Sequence, residues 1–233
     1  WDYAHRGLYN VKNRVYENTL EAFSLAVQNG YGIELDVQFT KDQQLVVMHD
    51  FNLFRMCGVD RRVDELTCDE LSRIPIKGGP SKIPTFQEVL DLVAGKTPLI
   101  IEIKSEKRRS DICRKVNEAL QTYKGPYCIE SFNPFIVYWY AKNRPNVVYG
   151  QLSENFMKTK AVGNWYQRFL LTNLMINFLQ KPDFIAYSHK DAGNLSLQLC
   201  KRLYKCVLVA WTIRSQEEYN KARDRIVHAT RTH

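Results

Sequence analysis

Two apolar runs of strand length carry paired charges, Glu34 and Asp36 in the first and Glu102 and Lys104 in the second. Alternate side chains of a strand project from the same face, so each pair is expected to point in one direction. A buried carboxylate is costly unless it is paired or bound to a cation. The pattern therefore predicts a metal site whose ligands are Glu34, Asp36 and Glu102.

Two other strand-like segments end in a histidine, His5 near the start of the chain and His49 further along. The pKa of histidine lies near neutrality, so one ring can accept a proton while another donates one. A phosphodiester is anionic, and attack on phosphorus builds more charge on its oxygens, which a cation, a guanidinium and an ammonium group can stabilise. These residue types predict a metal-dependent phosphodiesterase in which His5 and His49 transfer protons.

Strand-like and helix-like segments alternate along the chain without a break in composition, which predicts one α/β domain over residues 1–233 with a parallel sheet. The charged residues lie at or near the carboxyl ends of predicted strands, as in the active-site face of a (β/α)8 TIM barrel. A doubly wound sheet is the competing arrangement, but no glycine-rich phosphate loop follows the first strand. Residues 51–83 are predicted to be a small irregular insertion, and about 155–180 a long aromatic-rich helical stretch.

A series of motifs follows in a fixed order between residues 3 and 213: His5-Arg6-Gly7, Glu17-Asn18-Thr19, Glu34-Leu35-Asp36-Val37, Leu45-Val46-Val47-Met48-His49-Asp50, Glu102-Ile103-Lys104, Ser131-Phe132 and Trp211-Thr212. In this order they resemble the motifs of the glycerophosphodiester phosphodiesterase family, whose fold is a TIM barrel like that of phospholipase C. The resemblance implies one divalent cation, Ca²⁺ or Mg²⁺, since hard cations prefer oxygen ligands.

The resemblance also implies a role for each matching position. Glu34, Asp36 and Glu102 match metal ligands, and His5 and His49 match the general acid and base. The matches to phosphate-contacting or substrate-lining positions are Arg6, Lys104, Glu17, Asn18 and Trp211.

The implied reaction is hydrolysis of a small glycerophosphodiester to glycerol 3-phosphate and an alcohol. Either water attacks directly, or the neighbouring glycerol hydroxyl attacks first and forms a cyclic phosphate. Phospholipase-D-like cleavage of lysophospholipids or sphingomyelin is an alternative that needs a groove for an acyl chain. A non-catalytic phosphodiester-binding barrel is an alternative from another class, although retention of both histidines and all three carboxylates argues against it. The headgroup is left open.

The last strand departs from the family pattern. The family usually ends in a Gly-Val-Asp-Gly-like phrase, which the sequence from Asp224 to His233 matches poorly. Two alternatives follow: strand eight is missing, or residues 225–229 form a degenerate version of it.

The net charge of +8 and the pI near 9.1 favour a small anionic substrate, and because the basic residues are dispersed we expect no nucleic-acid partner. Six cysteines without paired short spacings indicate reduced core thiols of a cytoplasmic protein, although an even count leaves disulfides open.

No apolar run is long enough to span a membrane, but 164–179 could make weak contact with a membrane surface. The sequence shows no signal peptide, and its abrupt start leaves open whether the natural chain begins upstream. The oligomeric state is also left open.

Overall fold

The computed structural model describes residues 2–106, 110–159, 164–175, 177–188, 195–204, 206–213, 217 and 228–231. The strands among them are β1 (Tyr3–His5), β2 (Gly32–Phe39), β3 (Leu45–Val47), β4 (Leu99–Ile103), β5 (Tyr127–Ser131), β6 (Tyr149–Ser153), β7 (Phe184–Ser188), β8 (Val207–Ile213) and β9 (His228–Arg231). The helices are α1 (Leu20–Gln28), α2 (Phe54–Cys57), α3 (Cys68–Ser72), α4 (Phe86–Val93), α5 (Asp111–Ala119), α6 (Pro134–Asn143), α7 (Phe156–Thr159), α8 (Trp165–Thr172), α9 (Asn177–Gln180) and α10 (Leu195–Tyr204). Residues 1–127 and 128–232 form two compact units. That they make up one domain stays a prediction.

The first unit is built around β2, which runs parallel to β1 on one side and to β4 on the other. The shorter β3 pairs with it in the antiparallel direction. All eight residues of β2 and all five of β4 are buried. A carboxylate on either strand is therefore removed from bulk water, which is the condition that the metal-site prediction requires.

Side-chain caps fix where the helices of the first unit begin. The hydroxyl of Thr19 accepts a hydrogen bond from the N–H of Ala22, and α1 starts at the next residue, Leu20. Thr85 and Glu88 form a capping box at the start of α4. Pro84 precedes the cap at Thr85 and lies outside this helix.

The insertion at 51–83 contains more regular structure than the sequence predicted. It includes α2, α3 and two 3-10 turns, Val63–Glu65 and Ile76–Gly78. These elements surround a buried cluster to which β3 also contributes; its members are Val46, Met48, Leu53, Met56, Val63, Leu66, Leu71, Ile76 and Ile83. The insertion is therefore packed on the strand that precedes His49.

In the second unit, β5 to β9 are parallel and follow one another in chain order. A doubly wound sheet reverses its strand order at a switch point, and this run does not. The alternative that the last strand is missing is wrong, because His228–Arg231 pairs with β8 through an irregular register between Ala210 and Ile213. Residues 225–227 of the second alternative lie outside the described residues.

The predicted long helical stretch at 155–180 is wrong as one element, since its described residues form the three short helices α7, α8 and α9. On α8 the rings of Trp165, Tyr166 and Phe169 are exposed. The predicted contact of 164–179 with a membrane surface stays a prediction. Among the described residues, none of the helices has the length and apolar character needed to cross a bilayer.

A tight turn joins β1 to the segment that leads into α1. Gly7 has a φ of +83°, which glycine adopts without strain. A Cβ at this position would also lie 2.9 Å from the Cβ of Ala22 and 3.0 Å from its carbonyl carbon. Glycine is required here both by the backbone conformation and by the close approach of α1.

We expect Gly7→Ala to lower the free energy of unfolding by about 2–4 kcal/mol, because it adds a backbone penalty and a steric clash. Gly30→Ala is the matched control, since Gly30 has a φ of +72° but no atom within 4 Å of the added Cβ. The control should lose only about 1–2 kcal/mol. Urea denaturation measures both variants, and equal losses would contradict the role given to the contact with α1.

Candidate active site

The three predicted carboxylates converge at the centre of the first unit. Asp36 of β2 and Glu102 of β4 are register partners on adjacent parallel strands, and Glu34 lies two residues before Asp36 on the same face. All three are buried, and each offers a carboxylate oxygen within 4.8 Å of the others. The structure thus brings together the residues that the alternating charges had predicted.

Lys104 supplies part of the charge that this cluster needs. Its Nζ lies 3.1 Å from Glu102 Oε1 and 3.5 Å from Asp36 Oδ1. Burial opposes ionisation of Asp36, but the charges of Lys104 and Arg6 hold its pKa below the ordinary value. Burial raises the pKa of Glu102. The positive charge of Lys104 lowers this pKa, and repulsion from Asp36 raises it.

The cluster fits a divalent cation by two observations. Asp36 Oδ1 is buried and accepts no hydrogen bond from the residues that the structure describes. Burial, with a smaller contribution from the neighbouring charge of Asp36, raises the pKa of Glu102. A hard dication bound to oxygen ligands relieves both conditions. Glu34, Asp36 and Glu102 could therefore hold a metal ion.

The turn after β1 places Arg6 against this cluster. Arg6 has a φ of +59°, uncommon for a residue other than glycine. Its N–H donates to Glu34 Oε2 at 2.9 Å, its carbonyl accepts from the N–H of Asn18 at 2.9 Å, and its Nε lies 3.5 Å from Asp36 Oδ2. Asn18 in turn donates its side-chain N–H to Asp36 Oδ2 at 2.8 Å.

The two histidines have different surroundings. His5 Nε2 lies 3.9 Å from Glu34 Oε2, and its buried Nδ1 has no hydrogen-bond partner within the described part of the chain. Burial and the charge of Arg6 lower the pKa of His5 to about 3, so its ring is neutral at neutral pH. His49 Nδ1 lies 2.7 Å from Asp50 Oδ1. An ionised carboxylate only accepts, so Nδ1 of His49 carries a proton and Nε2 faces away from this bond.

A chain of ion pairs links the two histidine segments. Arg55 Nε donates to Asp50 Oδ2 at 2.6 Å, and one of its terminal nitrogens donates to Glu17 Oε1 at 2.6 Å. Glu17 Oε1 also accepts from Arg6 at 2.9 Å. Sequence reasoning gave no role to Asp50 or Arg55. Asp50 could have been found as the neighbour of His49, whereas no periodicity marks Arg55.

Trp211 is the predicted site residue that lies in the second unit. Its indole N–H donates to the carbonyl of Ala186 at 3.1 Å, and its ring meets Phe132 edge to face. Its role at a pocket wall stays a prediction.

A cleft opens beside Lys104 in the first unit. Phe51, Arg62 and Glu106 also line it. The guanidinium of Arg62 lies 5.5 Å from the centre of the Phe51 ring and 2.7 Å from Glu106 Oε2. Of the predicted site residues, only Lys104 lines this cleft.

Comparison with known proteins identifies the family. Residues 5–233 match the sequence model of the glycerophosphoryl diester phosphodiesterase family. The chain belongs to this family. The match confirms the predicted family and, with it, the enzyme class, a glycerophosphodiester phosphodiesterase acting on phosphoric diesters.

Individual members of the glycerophosphodiester phosphodiesterase family extend this result. A glycerophosphodiester phosphodiesterase from Caldanaerobacter subterraneus is 38% identical over 64% of this chain and 65% of its own. A lysophospholipase D from Rattus norvegicus is 26% identical over 89% of this chain and 76% of its own. The crystal structure of the Thermotoga maritima glycerophosphodiester phosphodiesterase matches with a TM-score of 0.74 at 26% identity, over 98% of this chain and 92% of that one. This likeness confirms the predicted α/β fold class of the TIM-barrel type.

The ion pairs of Arg55 predict how stability depends on pH. Burial opposes ionisation of both Glu17 and Asp50. Hydrogen bonds from Arg55 and Arg6 nevertheless lower the pKa of Glu17 from its ordinary value of 4.5. Hydrogen bonds from His49 and Arg55 lower the pKa of Asp50 from 3.8. A lowered folded-state pKa stabilises the protein above the unfolded value, and this is lost as the pH falls through the folded value. We therefore expect Arg55→Ala to destabilise the protein more at pH 7 than at pH 3.

Urea denaturation at the two pH values measures this difference. Arg61→Ala is the control, because Arg61 is 52% exposed and pairs with the 50% exposed Glu65. Exposed pairs contribute little, so the control should lose little at either pH. A loss from Arg55→Ala that is the same at pH 7 and pH 3 would contradict the coupling to these carboxyls.

Proposed function

We propose that this chain hydrolyses glycerophosphodiesters to glycerol 3-phosphate and an alcohol. The observation that carries the proposal is the buried cluster of Glu34, Asp36 and Glu102 flanked by His5 and His49. A cation held by these carboxylates, Ca²⁺ or Mg²⁺, would polarise a non-bridging phosphate oxygen when bound.

Arg6 and Lys104 bind the phosphate in this proposal. Both side chains are largely buried and already lie within 3.5 Å of Asp36, so a phosphate at the cluster would be within their reach. Glu17 and Asn18 act through other residues of the site in this proposal, whereas their match to substrate-lining positions implied contact with the substrate. Glu17 binds the guanidinium of Arg6, and Asn18 binds the carboxylate of Asp36.

The surroundings of the histidines support a division of roles. The neutral ring of His5 accepts a proton from water as the new O–P bond forms. His49, when protonated, donates its Nε2 proton to the alcohol oxygen as that P–O bond breaks, and the electron pair remains on the oxygen. Asp50 favours this role because its bond to Nδ1 fixes the orientation of the ring.

Cleavage of lysophospholipids is the second candidate. Two observations favour it: the similarity to the lysophospholipase D from Rattus norvegicus and the exposed rings of Trp165, Tyr166 and Phe169. Aromatic side chains of this kind suit the boundary between water and lipid. Parallel assays on glycerophosphocholine and lysophosphatidylcholine separate the candidates, since turnover of the acylated lipid alone would overturn the leading proposal.

Release of glycerol 3-phosphate from glycerophosphocholine tests the leading proposal. We expect release to stop with EDTA and to return when Ca²⁺ or Mg²⁺ is added, because the three carboxylates need a cation to bind the diester anion. Glu34→Gln should lose cation binding and turnover together. Asp69→Asn removes one exposed carboxylate away from the cluster and should change neither. EDTA-resistant turnover by the purified wild-type protein would contradict the metal requirement.

His5→Ala and His49→Ala should each lower kcat for glycerophosphocholine by about 10²–10⁴, the usual worth of general acid–base catalysis. Both variants should still bind the activating cation, measured by titration calorimetry. The 4-nitrophenyl ester of glycerol 3-phosphate distinguishes the roles, because nitrophenolate leaves without a proton donor. This ester should largely restore the rate of His49→Ala but not that of His5→Ala. A near-normal rate in either variant on glycerophosphocholine would exclude that histidine from proton transfer.

A further inference from the structure

Arg55 lies in the insertion rather than in the barrel strands, yet it contacts two carboxylates that serve the candidate site. Its Nε lies 2.6 Å from Asp50 Oδ2, and a terminal nitrogen lies 3.2 Å from Asp50 Oδ1. Its terminal nitrogens also lie 2.6 Å and 3.3 Å from the two oxygens of Glu17. One guanidinium therefore binds both carboxylates, a geometry that the planar fork of arginine permits and a lysine does not.

Each of these carboxylates also contacts a residue proposed to act on the substrate. Asp50 accepts from Nδ1 of His49 at 2.7 Å, and Glu17 accepts from Arg6 at 2.9 Å. The side chains of Asp50 and Glu17 are 22% and 13% exposed, so bulk water competes for them less than at an ordinary surface pair. Arg55 thus adjoins the proton donor through one partner and the phosphate ligand through the other.

The backbone that carries Arg55 is firmly held. Its neighbours Leu53 and Met56 are buried in the hydrophobic cluster of the insertion, and Met48, next to His49, belongs to the same cluster. Lys77 donates a hydrogen bond from Nζ to the carbonyl of Arg55. Packing therefore fixes the position of α2 relative to the end of β3. From this position the guanidinium of Arg55 reaches Asp50.

We infer that Arg55 is a positioning residue for the reaction, which orients His49 through Asp50. The inference rests on the proposed function, because it assumes that His49 donates a proton to the leaving alcohol. Arg55 keeps the Asp50 carboxylate on Nδ1, so Nε2 stays directed at the leaving oxygen. Residues that orient a reacting histidine in this way affect its chemistry without touching the substrate.

The alternative is an ordinary ion pair at the surface. The side chain of Arg55 is 47% exposed, and pairs with that exposure contribute little to stability. Arg61 offers a matched comparison in the same insertion, since it is 52% exposed and pairs with Glu65 rather than with a carboxylate of the site.

Steady-state kinetics of Arg55→Ala, Arg55→Lys and Arg61→Ala on two substrates test the inference. With glycerophosphocholine we expect kcat of Arg55→Ala to fall about 10–100-fold, the usual effect of losing a residue that orients a reacting group. KM should stay within about twofold, because Arg6 keeps its contacts with Glu34 and Asp36. Arg55→Lys should recover only part of the rate, and added guanidinium should restore part of the rate of Arg55→Ala. Arg61→Ala should match the wild type.

The second substrate, the 4-nitrophenyl ester of glycerol 3-phosphate, provides the decisive readout. Its leaving group needs no proton, so the rates of Arg55→Ala and wild type should agree within about threefold. Equal losses on both substrates, or a loss on glycerophosphocholine no larger than that of Arg61→Ala, would overturn the inference while the proposed function stands. A wild-type protein that cleaves neither ester with Ca²⁺ or Mg²⁺ would overturn the proposed function and the inference together.

Discussion

The structure of the first unit depends on the burial of three carboxylates on two adjacent strands. Glu34, Asp36 and Glu102 lie on β2 and β4, which are buried along their whole length. Negative charge at such a place must be compensated, because its transfer from water costs several kcal/mol per ion. The main-chain N–H of Arg6, the amide of Asn18 and the ammonium of Lys104 provide that compensation in part. Repulsion between Asp36 and Glu102 remains, and it defines the place that a divalent cation fits.

The turn after β1 follows from the same requirement. Arg6 adopts a left-handed conformation and uses its N–H, carbonyl and guanidinium on three different partners of the cluster. Gly7 then allows α1 to approach closely enough to bring Glu17 and Asn18 to the same point. A short local motif is thus demanded jointly by backbone sterics and by charge compensation, which explains why His5, Arg6 and Gly7 occur together.

Environment rather than residue type makes the two histidines different. His5 is buried beside the charge of Arg6, which lowers its pKa and keeps the ring neutral. His49 is bonded to Asp50, whose own carboxylate is held by Arg55. The insertion at 51–83 is therefore more than a connection between β3 and α4: it carries the guanidinium that joins the segment of His49 to the segment of Arg6.

The sequence by itself determined the family, the alternation of strands and helices and the three carboxylates, because strand periodicity and ordered motifs are local properties of the chain. It did not determine that 155–180 divides into short helices or that residues 228–231 form a strand parallel to β8. Tertiary contacts override weak local preference at both places. The partners of Glu17, Asn18 and Asp50 were likewise decided only by the fold. Arg55 and Glu17 are 38 residues apart, and no local pattern links them. Their contact exists because the packed core of the insertion holds α2 beside the end of β3.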